Sequence, residues 1–357
     1  LFFKNKQINL YNDPDKLAKH LKEIAPEDSD RIDEFADYIR KFYQLNNMPL
    51  TKAKELFTII DTIKMIITFG PFMRFLKKYA KITVDEFAAS FKNPDLQQAI
   101  RSIKSITSSN NFFSIPFLLA TRGFGFPQGG SYKFAKSIEQ RYTDLGGKIH
   151  YGAKIKKILV TKNRAAGIQL EDGNEVNADI VISAADGYST IFKLLAGKYI
   201  NKKIKYCYEN VPVIPSWLQV SIGVDMDLSD DATINSIYNL FELDKPMTIA
   251  GEKRKYIIVK NYAFDPTFSP RGKSTLVAAF VSESAYWEKI YSDKEKYKQE
   301  KKNVEKAVIL GLEKIIPGIK EKIEVVDVAT PMTIIRYTNN WKGSIMGFNK
   351  SFSLNIP

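Results

Sequence analysis

The sequence contains few of the residue types that build metal sites and disulfide frameworks. Its 357 residues include one cysteine, Cys207, and two histidines, His20 and His150. A single cysteine excludes an internal disulfide framework and any multi-cysteine metal site. The histidines are far apart and lack the short spacing of a histidine metal site. We therefore expect no metal, and the cysteine content is compatible with a reducing compartment.

Long uncharged apolar runs are also absent. Residues 56–75 are the most apolar stretch, but Asp61 and Lys64 lie inside it, and Gly70-Pro71 is predicted to break the helix. We therefore exclude a transmembrane span. Two interpretations remain for this stretch: a core helix, or a helix at a membrane surface whose basic residues reach anionic head groups.

The formal net charge is +13. The lysines are scattered and no nucleic-acid-binding motif accompanies them, so we expect no nucleic acid partner. An anionic membrane surface or a solvated, lysine-rich surface explains the charge instead. The N-terminus shows no signal peptide and does not begin with Met, so we expect an internal fragment. We expect a cytoplasmic protein, either free or peripheral at the cytoplasmic membrane through residues 56–81.

The most informative stretch runs from Phe124 to Asp186. Gly129-Gly130 precedes a predicted helix whose apolar residues recur at steps of four, and Gly146-Gly147 is predicted to end it. The run at 179–185, DIVISAA, predicts a strand buried on both faces. Between them, turn signals separate strands predicted at 148–151, 154–161, 165–171 and 175–178.

Beyond Asp186 the pattern favours a mostly antiparallel sheet with helices. A long helix is predicted over 286–312, and we interpret its run of Lys and Glu as a solvated face rather than a binding site. Aromatic residues are frequent before this half of the chain. Such aromatic residues either line an apolar tunnel or form a core. The residues concerned are Phe112, Phe113, Phe117, Phe124 and Phe126.

The order of these motifs resembles the phytoene desaturase, carotenoid isomerase and retinol saturase branch of the flavin-dependent amine oxidase superfamily. Pro127-Gln128-Gly129-Gly130 matches the family's P-x-G-G turn, and 179–186 matches its D-x-V-I-x-x-x strand. The outer segments 10–28 and 330–344 support the likeness, which covers nearly the whole chain.

The resemblance implies an α/β fold of mixed α+β type. It consists of a partial FAD-binding, Rossmann-like domain and a substrate domain of mostly antiparallel sheet and helices. The implied domains are 1–122, the helical part of the substrate domain; 123–205, part of the FAD-binding domain; 206–345, the substrate-domain sheet and helices; and 346–357, a return toward the FAD domain.

The resemblance also implies cofactor-binding residues. Gly129 and Gly130 match the glycine turn near FAD, Ile155 occupies the strand position that offers its backbone to adenine, and 183–185 end the strand near the diphosphate. The residues of that last group are Ser183, Ala184 and Ala185. Arg336 and Tyr337 match the segment near the substrate.

One expected element is missing. The family opens with G-x-G-x-x-G, which lets a helix N-terminus approach the pyrophosphate, and this chain has no such fingerprint. We therefore expect that this chain alone does not hold FAD tightly and is inactive, whereas its full-length parent binds FAD.

The implied activity is FAD-dependent desaturation, saturation or isomerisation of an apolar, conjugated isoprenoid. Since the flavin performs the redox chemistry, no acid–base pair is required, and we assign no catalytic residue. Two alternatives remain from the sequence: an amine-oxidase-type flavoenzyme, and a non-catalytic lipid- or membrane-binding protein.

Overall fold

The computed structural model describes residues 1–3, 6–43, 56–79, 81–104, 111–120, 126–234 and 236–349. Helices are combined with a large and a small sheet, which confirms the predicted mixed α/β class. The chain divides into two compact units. Unit 1 is Leu1–Phe126 with Asn239–Asp244, and unit 2 is Pro127–Tyr238 with Lys245–Pro357. The domain bounds proposed from the sequence stay predictions.

Unit 1 is mostly helical, and its first helix begins where the sequence supplies a cap. Asp13 Oδ1 accepts hydrogen bonds from the backbone N–H groups of Asp15 and Lys16, both at 2.9 Å. Pro14 fits the first helical position because the N–H it lacks would have no partner there. The helices of unit 1 are α1 (Pro14–Ile24), α2 (Ser29–Tyr43), α3 (Ile59–Tyr79), α4 (Val84–Ala89), α5 (Pro94–Ser102) and α6 (Ser114–Ala120).

An aromatic core holds these helices together. The Tyr38 ring on α2 is buried, and its centroid lies 5.3 Å from that of Phe75 and 5.2 Å from that of Phe112. Phe42, one turn further along α2, meets Phe72 edge-on at 5.3 Å. Burying a large apolar side chain contributes about 1.5–3 kcal/mol, so this cluster supplies much of the stability of unit 1.

Helix α3 continues through Gly70-Pro71, so the predicted break is wrong. A proline inside a helix costs about 3 kcal/mol because it lacks an N–H donor and crowds the preceding turn. Phe69 and Phe72, on either side of this pair, are 5% and 4% exposed, and their burial offsets the cost. No helix of the described residues is long and apolar enough to cross a membrane.

Unit 1 also contains short strands. β1 (Phe2–Phe3) pairs antiparallel with β2 (Lys6–Gln7), and Phe2 lies opposite Phe241 in a parallel pairing. The two rings stack, with centroids 4.5 Å apart. The sequence of residues 1–11 is typical of a strand, and the structure forms two short strands there, β1 and β2.

In unit 2 the large sheet has the strand order β10-β6-β9-β8, and β7 belongs partly to unit 2 and, over residues 239–244, to unit 1. Its central pair, β6 and β9, is antiparallel from Ser216↔Ser282 to Val224↔Ser274. Burial alternates strictly along β6, as expected for a strand with one covered face. The strands are β6 (Ser216–Val224), β7 (Tyr238–Ile249), β8 (Glu252–Asn261), β9 (Ser274–Ser282) and β10 (Ile323–Ala329).

A small antiparallel sheet has the order β3-β4-β5, from β3 (Ile155–Thr161), β4 (Arg164–Leu170) and β5 (Glu175–Asn177). The predicted Asp172-Gly173 turn joins β4 to β5, with Gly173 at φ 93°. The prediction of a strand over 148–151 is wrong. Tyr151 is instead an exposed turn residue, and its pKa is raised chiefly by a hydrogen bond to Glu139.

The helices of unit 2 are α7 (Gly130–Asp144), α8 (Lys202–Asn210), α9 (Ser284–Tyr291), α10 (Lys294–Ile315) and α11 (Pro331–Thr338). The sequence predicts a single helix over 286–312, but the structure has two helices there, α9 and α10. Asp293 ends the run because its side chain caps α10, accepting the Lys296 N–H at 3.1 Å. Helix α8 was not predicted, although Asn201 caps it by accepting the Ile204 N–H at 2.8 Å.

Candidate functional site

The glycine turn at the start of α7 has a left-handed backbone. Gly129 lies at φ 82° and Gly130 at φ 71°. The Gly130 N–H donates to the Pro127 carbonyl at 2.8 Å, which closes the turn. Residues with a Cβ rarely adopt these angles, so glycine is favoured at both positions.

A buried carboxylate anchors this turn. Asp265, 5% exposed, accepts hydrogen bonds from the Gly129 N–H at 2.9 Å, the Thr267 N–H at 2.9 Å and the Thr267 hydroxyl at 2.6 Å. The Thr267 hydroxyl, followed by the Gly129 N–H, holds the pKa of Asp265 below its usual range. The sequence by itself predicts a turn at Asp265-Pro266. The signal for the local bonds was the Asp-x-Thr pattern, but the bond to Gly129 has no local signature.

The ring of Phe268 lies over the second glycine. A Cβ on Gly130 would stand 2.9 Å from Phe268 Cζ, whereas a Cβ on Gly129 would meet only the flexible Lys133 side chain. Because Phe268 belongs to the same β8–β9 connection as Asp265, one loop fixes both glycines. The close approach of the ring is a second reason for glycine at position 130.

The predicted adenine-contacting residue begins an edge strand. Ile155 opens β3 and pairs with Leu170 on β4. In the described sheet, β3 has a neighbour on one side only. An edge strand has backbone N–H and C=O groups pointing away from its partner, which suits the role predicted for Ile155.

The returning segment 179–185 is not a strand, so that prediction is wrong. Ile180 and Ile182 are 76% and 86% exposed, and the described residues supply no strand to pair with them. A run buried on both faces requires neighbours on both sides, and these determine its conformation. Ser183 bonds to the Thr190 hydroxyl at 2.8 Å, and Ala184 and Ala185 are exposed.

Asp186 ties the end of this segment to the chain near residue 341. Its carboxylate accepts the Ser189 N–H at 3.1 Å and the Trp341 N–H at 3.2 Å. Tyr188 and Trp341 stack with centroids 3.9 Å apart, and Tyr208 meets Trp341 edge-on at 5.9 Å. Burial, with a contribution from Asp186, raises the pKa of the Tyr208 hydroxyl.

The apolar side chains predicted at steps of four share one face of α7, and this face is exposed. Phe134, Ile138 and Tyr142 are 58%, 57% and 50% exposed. The exposed isoleucines of 179–185 add further apolar surface to unit 2. The sequence predicted the helix and its stripe correctly, whereas the strand that would have been buried nearby is not formed.

The predicted cofactor residues lie in three segments of unit 2, and no hydrogen bond between described residues links one segment to another. Each segment has the property required of it: a glycine turn before a helix, an edge strand, and small exposed residues. Separately, therefore, they fit a flavin nucleotide. The cofactor roles of Gly129, Gly130, Ile155 and 183–185 stay predictions.

Arg336 and Tyr337 lie elsewhere in unit 2. They line a cavity of about 290 Å³ formed by residues of α10, β10 and α11. The Arg336 guanidinium lies 5.5 Å from the centre of the Tyr337 ring. The surroundings include Lys301 and Asp327 and are therefore charged. The substrate role predicted for Arg336 and Tyr337 stays a prediction.

Comparison with known proteins identifies the family. The family model described as flavin containing amine oxidoreductase matches residues 104–316, which is more than half of the chain. The chain belongs to the flavin-containing amine oxidoreductase family. This membership confirms the predicted superfamily, whose family description names a flavin.

Two curated relatives of this family member are carotenoid enzymes by name, as predicted. The chloroplastic prolycopene isomerase of Arabidopsis thaliana is 25% identical over 95% of this chain and 58% of its own length. The 4,4'-diaponeurosporene oxygenase of Staphylococcus haemolyticus is 25% identical over 97% of this chain and 69% of its own length. The chain thus spans 58% of the length of the prolycopene isomerase.

A solved structure supports the fold. An oxidoreductase from Methanosarcina mazei aligns with a TM-score of 0.51 and 18% sequence identity, covering 82% of this chain and 64% of the other. At this identity the likeness concerns the fold alone.

Proposed function

We propose that the protein containing this chain is an FAD-dependent oxidoreductase that desaturates, saturates or isomerises a conjugated isoprenoid of the carotenoid or retinoid type. The observation that carries the proposal is similarity over nearly the whole chain to two enzymes named for carotenoid chemistry, within a flavin-containing family. The similarity includes unit 1 as well as the flavin-related segment, so it extends beyond a shared cofactor fold.

In this proposal the chain's residues bind and orient, whereas bound FAD supplies the two-electron chemistry. The Gly129-Gly130 turn lets the backbone approach the cofactor, and Asp265 keeps that turn in place. The edge of β3 at Ile155 offers backbone hydrogen bonds to a flat base. The small residues of 183–185 leave room for a diphosphate.

We further propose that α3 contacts a membrane, from which an apolar polyene is taken. The N-terminal part of α3 exposes a set of isoleucines that a water-facing helix would not carry. Lys64, Arg74 and Lys77 are exposed on the same helix and suit anionic head groups. The exposed isoleucines are Ile59 (80%), Ile60 (65%), Ile63 (51%), Ile66 (62%) and Ile67 (71%).

The buried end of α3 supports this orientation. Phe72 and Phe75 pack into the aromatic core of unit 1, so the helix is anchored at one end and presents apolar side chains at the other. This arrangement supports a peripheral membrane protein, and we propose the cytoplasmic face as its location. It combines the two interpretations that the sequence left open for residues 56–75.

The experiment that tests the activity uses the purified full-length protein. We expect the absorption bands of oxidised flavin, and conversion of a carotenoid in liposomes detected as a product by chromatography. A folded, colourless protein that takes up no added FAD would falsify the oxidoreductase proposal. If that protein still bound liposomes, a non-catalytic lipid-binding function would replace it.

Vesicle sedimentation tests the membrane contact. The triple variant Ile59→Ser, Ile63→Ser, Ile67→Ser changes one face of α3 and should weaken binding to anionic vesicles at least about tenfold, because each buried side chain contributes about 1.5–3 kcal/mol. A matched control replaces three exposed apolar residues of unit 2: Leu310→Ser, Val325→Ser and Met346→Ser. Equal binding by wild type and the α3 variant would refute the contact.

A further inference from the structure

One side of the lysine-rich helix α10 faces a groove as well as solvent. Lys298, Lys301 and Lys302 line a groove against β10, with a cavity of about 330 Å³ whose other side includes Val326 and Val328. Their spacing along α10 places them on one side of the helix. The run of Lys and Glu in the sequence predicts a solvated face of the helix, but α10 and the sheet edge beside it form a concave surface.

A second cavity continues this groove. Its volume is about 290 Å³, and it shares Tyr297, Lys301, Asp327 and Val328 with the first. Arg336 of α11 lines the second cavity and adds a fourth cation. We refer to the two cavities together as the α10–β10 groove.

The cations of the groove outnumber its acids. Lys298, Lys301, Lys302 and Arg336 face two carboxylates, Glu305 and Asp327, which leaves a formal excess of two positive charges. None of these four cations has a carboxylate within 4 Å among the described residues, whereas Lys296 at the start of the same helix pairs with Asp293 at 3.2 Å. The groove therefore has cationic groups that an anion can reach.

The floor and walls are apolar and aromatic. Val328 and Met332 are buried beneath the groove. The Tyr297 hydroxyl bonds to the Thr330 hydroxyl at 2.7 Å, and its ring meets Tyr291 edge-on at 5.1 Å. These contacts fix the ring of Tyr297 in the wall that both cavities share.

We propose that the α10–β10 groove binds an organic phosphate or diphosphate. Lysines attract a phosphate as point charges, and an arginine can bind two of its oxygens at once. The tyrosine rings and the apolar floor suit the organic body of such a ligand. The phosphate belongs either to a free small molecule or to a phospholipid head group. None of the predicted cofactor residues lines the groove, whereas Arg336 and Tyr337, the predicted substrate residues, line its second cavity.

The probe is inorganic pyrophosphate, titrated into the full-length protein by calorimetry at low ionic strength. We expect saturable binding that weakens at least about tenfold in Lys298→Gln/Lys301→Gln, because two of the four cations are lost. Arg336→Lys keeps the charge but not the planar fork, and should weaken binding several-fold.

The matched control is Lys306→Gln/Lys314→Gln. It removes the same charge from exposed positions of α10 that do not line the groove. It should bind pyrophosphate like wild type, and thermal melting shows that each variant is folded. Absence of saturable binding to wild type, or equal loss in both double variants, would overturn the proposal.

Vesicles distinguish the two sources of phosphate. Phosphatidylglycerol vesicles that bind wild type and the control, but bind Lys298→Gln/Lys301→Gln at least tenfold more weakly, would identify a lipid head group. Unchanged vesicle binding in that variant, with pyrophosphate binding lost, would identify a free phosphate compound. Flavin content is measured in parallel, so failure of this proposal is separate from failure of the proposed oxidoreductase.

Discussion

The Asp265 carboxylate accepts the backbone N–H of Gly129 at 2.9 Å, across 136 positions of sequence. The same carboxylate bonds to both donors of Thr267. The glycine turn is therefore held from outside its own segment, by the connection between β8 and β9. We infer that Asp265 is a positioning residue for this turn.

Replacing Asp265 by Asn should lower the melting temperature by several degrees, because one buried acceptor loses its charge and must satisfy three donors. Asp227→Asn is the matched control. Asp227 makes the same local bonds, to the N–H and hydroxyl of Ser229, but is exposed. Equal shifts in the two variants, measured by calorimetry, would show that the bond to Gly129 contributes nothing.

The stabilising effect of Asp265 should depend on pH. Hydrogen bonds from Thr267 and then Gly129 lower its pKa in the folded state. Such a group contributes stability above its unfolded pKa of about 3.9, and this contribution is lost as pH falls through the lower folded value. The difference in melting temperature between wild type and Asp265→Asn should thus be largest near neutral pH and shrink in acid. A difference that stays constant from neutral pH into acid would contradict this account.

Gly130→Ala should destabilise more than Gly146→Ala. Both glycines have positive φ, 71° and 85°, so both alanines incur a backbone cost of about 1–2 kcal/mol. Only the Cβ at 130 also meets a ring, 2.9 Å from Phe268 Cζ, whereas nothing lies within 4 Å of a Cβ at 146. Urea denaturation measures the difference. Equal losses would mean that Phe268 moves aside without cost.

Gly70→Ala should stabilise the protein by about 0.5–1 kcal/mol, because glycine inside a helix has excess freedom when unfolded. Gly70 lies within α3, and an added Cβ meets nothing within 4 Å. Gly152→Ala, equally uncrowded but at φ 70°, should have the opposite sign. A destabilised Gly70→Ala in urea denaturation would argue that α3 needs a flexible point there.

Local signals predicted much of the fold. The glycine stop at Gly146 acts over a few residues, so the sequence predicts the end of α7 correctly, and Asp13 caps α1 through equally local hydrogen bonds. A mostly antiparallel sheet beyond Asp186 was also predicted, and along β6 the alternating burial leaves a two-residue period. The family followed from the order of such motifs.

Long-range contacts were what the sequence could not supply. Helix α3 continues past Pro71 because distant aromatic residues of α2 hold it, and 179–185 is not a strand because conformation there depends on neighbours. The hydrogen bond from Gly129 to Asp265 and the groove beside α10 could not be predicted for the same reason. Each depends on residues that are brought together only by folding.

The exposed part of α3 has a definite length. Ile59–Ile67 rises about 13 Å at 1.5 Å per residue, close to half of the roughly 30 Å hydrocarbon thickness of a bilayer. Under the proposed membrane contact, a helix end of this reach would enter one leaflet and not the other. The polyene would then be met by lateral diffusion within that leaflet, and turnover would follow its mole fraction in the lipid rather than its total concentration in the suspension.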